Sequence, residues 1–217
     1  MKTKFFLILL ICSLFAVSCS SRICVTSQKD DEAQIDFSLN FSKKASELIK
    51  ELVGVSVKNS SDELISSEEI SSFLKSFGLQ NINSTVKDSE KISASGTVPS
   101  VQKSSLSKVK ILTKTQNSLT FSFGPTQIES LYNLADDISK SYFDLLMIPC
   151  LSGEELTPKQ YKDLLASVYG PELASQIIDD KLVIELYSPN SKKVLKDSIS
   201  LGELLTLQTQ KTWSLKW

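Results

Sequence analysis

Histidine is absent from all 217 residues, which removes the commonest general base, metal ligand and triad member together. Ser-His-Asp, Cys-His and zinc-histidine sites are excluded. Glycine is scarce too. The seven glycines, Gly54, Gly78, Gly96, Gly124, Gly153, Gly170 and Gly202, each stand alone, so no glycine-rich loop can cradle a phosphate. No Cys-x-x-Cys pair offers redox chemistry. An excess of one charge is missing as well: 24 Lys and Arg face 25 Asp and Glu, and a nucleic-acid binder needs a dense basic patch. The carboxylate pairs Asp30-Asp31, Asp136-Asp137 and Asp179-Asp180 lack the alternating Asp/Asn loop with a central glycine that calcium wants. The expectation is a chain without cofactor or metal and without a nucleic-acid partner.

What is present is concentrated at the start. Lys2 and Lys4 precede an apolar run from Phe5 to Val17. That run is too short for a bilayer core, which needs roughly 20 residues, and has the length of an export-signal h-region. It ends in Ala16-Val17-Ser18-Cys19. This ending resembles the lipobox of bacterial lipoproteins, with small Ser18 before the cysteine and Ala16 standing where Leu is usual. The resemblance implies that Cys19 becomes the first mature residue and carries palmitate-type acyl chains. Several chains on one residue give stable anchoring where one is marginal. Ser20, in place of Asp, then implies the outer rather than the inner membrane, facing the periplasm or the surface. Ala16 and Ser18 equally satisfy the small-x-small rule of an ordinary secretory signal, which would leave Cys19 unmodified.

Without residues 1–18 the chain keeps 199 residues and, with Lys2 and Lys4 gone, 22 basic against 25 acidic side chains. Its thiols are then Cys19, Cys24 and Cys150. Cys24 and Cys150 are the candidate disulfide pair. Such a bond would close a loop of about 125 residues and be worth nominally near 5 kcal/mol. Two unpaired thiols are the alternative.

Residues 19–35, rich in Ser, Thr, Lys, Asp and Glu, read as a flexible lipidated tether. Residues 36–217 read as a single α+β domain, in which short antiparallel strands and hairpins pack with four to five amphipathic helices. Two similar helix-plus-hairpin halves, about 36–123 and 124–217, are an alternative division.

Phe37, Leu39 and Phe41 predict a strand, and Ala45, Leu48, Ile49 and Leu52 a helix opening at Ser42. Ser66 with Glu69 predicts a capped helix ending at Gly78. Ile92 to Val98 alternate weakly, and Lys108–Thr115 with Leu119–Phe123 predict a hairpin about Gln116-Asn117. The longest predicted helix starts from a Thr126/Glu129 capping box and carries its apolar stripe from Ile128 to Leu145. Thr157, Pro158 and Gln160 open another, stopped at Gly170-Pro171. Strands at Leu182–Tyr187 and Val194–Ser200, a brief Ser200/Glu203-capped helix and a last strand through Trp213, Leu215 and Trp217 complete the pattern.

Three functions follow as expectations. The first is a lipid-anchored, non-enzymatic cell-envelope protein, held in the membrane by its acyl chains and binding a protein partner or serving assembly. The second is a periplasmic or surface carrier of an apolar ligand, in which Trp213, Leu215 and Trp217 form the apolar binding face. Those three side chains closing the core is the rival reading of the same pattern. The third is a hydrolase using serine and lysine, which needs a buried lysine beside a serine. No catalytic residue is nominated.

Overall fold

The structure, a computed structural model, describes residues 21–40, 67–87, 91–134, 140, 144 and 146–217. Cys19 and the helix expected after Ser42 lie outside them. So do Ser66 of the first expected cap and most of the apolar stripe beyond Leu134.

Arg22, Cys24 and Thr26 alternate with Ile23 and Val25, and the period of two belongs to a strand with two unlike faces. Ser21–Ser27 is accordingly strand β1, not tether. It pairs antiparallel with β2 (Ala33–Asn40) on one side and parallel with β7 (Lys181–Tyr187) on the other. The flexible segment expected over 19–35 is therefore corrected from Ser21 onward. Its charged run is a tight turn: the Gln28 N–H donates to the Glu32 carbonyl at 2.9 Å, and Asp30 turns the chain at φ 53°. The Asp31 carboxylate accepts from Ser100 Oγ at 2.7 Å and from the Gln102 N–H at 3.0 Å.

The large sheet has six strands in the order β3-β4-β2-β1-β7-β8, with β3 at Gln80–Lys87, β4 at Lys91–Val98 and β8 at Val194–Ser200. A small sheet takes β5 (Leu112–Thr115), β6 (Ser118–Phe123) and β9 (Lys211–Lys216), in the order β5-β6-β9. Each sheet draws strands from both sides of residue 124, so the division into halves at 123/124 cuts through both. The β5–β6 hairpin turns at Gln116-Asn117 as expected. The strand expected from Lys108 begins only at Leu112, because Ser104 caps a short helix α2 (Ser105–Lys108), with its hydroxyl accepting from the Ser107 N–H.

Helix α1 (Ser67–Ser76) buries Ile70 and Leu74, and the chain leaves it through Gly78 at φ +87°. Helix α3 (Pro125–Leu134) begins one residue before the expected Thr126 cap. Pro125, whose fixed φ suits the first helical position, starts it, and the Ile128 N–H donates to Gly124. After the short α4 (Pro149–Ser152), α5 (Pro158–Tyr169) has the expected Thr157/Gln160 capping box, and α6 is Pro171–Asp179. Helix α7 (Leu201–Leu205) has the Ser200/Glu203 box. Among the described residues the protein is thus mixed α and β, with nine strands in two sheets.

The core lies between the layers. Val25, Ala33, Leu39, Ile92, Val98, Ile184 and Leu186 of the large sheet face Leu119, Phe121, Trp213 and Leu215 of the small one, together with apolar faces of α1, α5 and α6. The other face of the large sheet is polar. Among the described residues no helix is long and apolar enough to cross a membrane.

Candidate functional site

Strand register lays out the polar face. Across the middle of the sheet Asn83 faces Ser95, Ser95 faces Asp36, Asp36 faces Cys24, Cys24 faces Glu185 and Glu185 faces Lys196. The neighbouring row runs from Thr85 through Ser93 and Ser38 to Arg22. Arg22, Cys24, Asp36, Ser38, Asn83, Thr85, Ser93 and Ser95 line a shallow groove of about 260 Å³. Beside Phe37 and Ala94, which also line it, four hydroxyls, the Asn83 amide, the Asp36 carboxylate and the Arg22 guanidinium supply its hydrogen-bonding groups.

A charged knot bounds the groove. The Glu185 side chain is only 4% exposed, although it is ionised and lies on the polar face. Burial pushes its pKa upward, but hydrogen bonds from Lys196 (Nζ–Oε1 2.8 Å), Arg22 (Nε–Oε2 3.0 Å) and the Tyr187 hydroxyl (3.0 Å) outweigh it and hold the pKa at about 2. Both carboxylate oxygens are thus occupied, and the knot fixes Arg22 at the rim of the groove.

Cys24 lies on the floor of this groove and is buried, and Cys150 lies in α4, which packs with α3. Both are free thiols, so the candidate disulfide is not made. The Cys24 side chain is committed to the polar face, flanked by Asp36 and Glu185 on the adjoining strands. Burial raises the pKa of Cys24, and that of Cys150 to about 11, so both are protonated rather than nucleophilic. Cys150 borders a wide hollow of about 640 Å³ with Glu129, Tyr132, Asp144, Glu154 and Leu164.

The apolar face expected at Trp213, Leu215 and Trp217 is inside the molecule. Trp213 is 3% and Leu215 7% exposed, and Trp217 packs against the same core. The Trp213 ring lies 5.7 Å from that of Phe121, and its indole N–H donates to Asp197 at 2.8 Å. The binding face is corrected to core closure, since β9 pairs with β6 and turns these side chains toward the large sheet. Between the sheets an apolar cavity of about 150 Å³ remains, lined by Ile23, Ile35, Phe37, Leu79, Leu106 and Phe121 among others.

Lys114 is the lysine that sequence patterns did not single out. It is 6% exposed, and its Nζ donates to the carbonyls of Gln28 (2.8 Å) and Glu32 (2.7 Å). Desolvation lowers its pKa, against the opposing fields of Asp31, Asp30 and Glu32. Its contacts are with main-chain oxygens, which makes it a clamp on the β1–β2 turn. Among the described residues no three metal-ligating side chains gather.

Sequence reasoning also passed over Arg22, Asp36, Asn83 and Glu185. A signal for one existed: a lone glutamate inside the apolar run Leu182-Val183-Ile184-Glu185-Leu186 needs cationic partners.

Set against known proteins, the chain matches no family model and no curated protein.

Proposed function

We propose that this chain is a lipid-anchored protein of the bacterial cell envelope, placed at the outer membrane by acyl chains on Cys19. Its role is non-enzymatic: it binds a protein partner through the polar face of the large sheet. The observation that carries the reading is Ala16-Val17-Ser18-Cys19 closing an export signal two residues before β1 begins. Processing at Cys19 leaves the central strand whole, and the groove edged by Arg22, Asp36 and Asn83 supplies the hydrogen-bonding surface.

The apolar-carrier reading draws less support. Its cavity of about 150 Å³ is half the smallest usual ligand pocket of roughly 300 Å³. The serine-lysine hydrolase draws less as well, because the Nζ of buried Lys114 is engaged with two carbonyls.

Fractionation tests the anchor: Cys19→Ala should leave the membrane pellet for the soluble fraction, and a variant that stays in the pellet contradicts lipidation. Photocrosslinking from position 85 in envelope extracts tests the face. A discrete protein adduct that Asp36→Arg abolishes supports it, and an adduct unchanged by Asp36→Arg removes this groove from the account.

A further inference from the structure

We infer that the acylated chain plants the Ser21 end of the large sheet directly on the bilayer. This rests on the reading of Cys19 as the lipid attachment site.

Reach decides the distance. Two peptide units separate Cys19 from Ser21, so their Cα atoms can be no more than about 7.6 Å apart. Ser21 is itself 1% exposed and paired in register with Leu182 in the middle of the sheet. No length of chain remains to hold the domain away from the headgroups.

The position of β1 sets the attitude. Three strands, β2, β4 and β3, lie to one side of it and two, β7 and β8, to the other. At about 4.8 Å per strand the sheet reaches roughly 14 Å one way and 10 Å the other from the anchor. Tilting in either direction within the sheet plane drives a corner into the headgroups, so in that plane the strands stand upright.

The end in question is defined by register. Asn40 lies beside Lys91, Lys87 beside Lys91, and Lys181 beside Ser200, all at the Ser21 end. Acidic groups share that end: Asp179 is paired with Lys162, and Glu203 caps Ser200. The rim is mixed in charge, so covalent attachment and not attraction to anionic lipid fixes the pose. Long lysine stems can reach into the headgroup layer. The β1–β2 turn at Asp30 lies at the other end, about 20 Å further out along strands rising 3.3 Å per residue.

The test uses full-length protein extracted from membranes, carrying Cys24→Ser and Cys150→Ser, with one reporter thiol from Lys91→Cys, Lys181→Cys or Asp30→Cys. Each is labelled with an environment-sensitive fluorophore and reconstituted in phosphatidylcholine vesicles containing headgroup spin-labelled lipid. Labels at 91 and 181 should lose emission, and the label at 30 should keep it. Inserting a Gly/Ser linker of about 20 residues after Ser20, able to span roughly 25 Å, should erase the difference. Equal emission at both ends without the linker, in protein whose mass shows acylated Cys19, overturns the inference and leaves the lipoprotein reading standing. A mass showing no acyl chain overturns that reading itself, and the inference with it.

Discussion

The Nζ of Lys114, in the small sheet, lies 2.8 Å from the carbonyl oxygen of Gln28, in the turn between the two central strands of the large one. A second bond of 2.7 Å, to Glu32, makes the lysine a bridge between the sheets. Its hydrocarbon stem crosses the core layer and its charge caps two main-chain acceptors. Lys114→Met keeps the stem but removes the charged donor, leaving the Glu32 carbonyl with the Gln28 N–H alone and the Gln28 carbonyl with only the Ser27 hydroxyl at 3.4 Å, which should destabilise the fold by about 2 kcal/mol. Urea unfolding checks the size, and amide exchange should show local opening confined first to residues 28–32. Unchanged protection in that turn would contradict the bridge.

The knot around Glu185 predicts a pH dependence. Its folded pKa of about 2 lies below the ordinary 4.5. The folded state therefore binds fewer protons, so the stabilisation is present above about pH 5 and is lost as pH falls toward 2. With the Arg22 side chain 48% and that of Lys196 67% exposed and screened, the contribution is on the order of 2 kcal/mol. Glu185→Gln should cost about that much at pH 7 and flatten the unfolding free energy between pH 5 and 2. A variant that loses stability on acidification as steeply as the parent would show that other carboxylates govern acid unfolding.

Gly124 sits where β6 passes into α3, and the chain returning toward β9 crosses close to it. A Cβ there would stand 2.7 Å from the Cα of Gln210 and 3.1 Å from its nitrogen. Main chain cannot rotate away as a side-chain tip can. Gly124→Ala should cost about 1–3 kcal/mol, read as a lower urea midpoint with an unchanged slope. A neutral result would mean that the 209–210 segment moves freely.

Locally encoded features were the legible ones. Thr157 with Gln160, Ser200 with Glu203, and the turn at Gln116-Asn117 each depend on residues a few positions apart, and each appears where the sequence places it. Ser21–Ser27 was misread because its neighbours Lys29, Asp30, Asp31 and Glu32 suggest a solvated linker. Its own Arg22/Ile23/Cys24/Val25 alternation was the better guide. Its pairing with Lys181–Tyr187 joins residues some 160 positions apart, and no local pattern announces a contact of that range. The candidate groove is illegible for the same reason. Arg22, Asp36 and Asn83 come together through the order in which strands are laid side by side. Trp213 and Leu215 carried the correct period, but only the pairing of β9 with β6 decides that this face points inward.

On the proposed reading Cys19 is the membrane attachment, and the folded domain begins immediately behind it. The most direct measurement is the mass of the amino-terminal tryptic peptide from protein extracted out of the envelope. Lipidation predicts a peptide Cys19–Arg22 carrying a diacylglyceryl thioether. An unmodified Cys19–Arg22 peptide, or one beginning at Ser20 or Ser21, would contradict it.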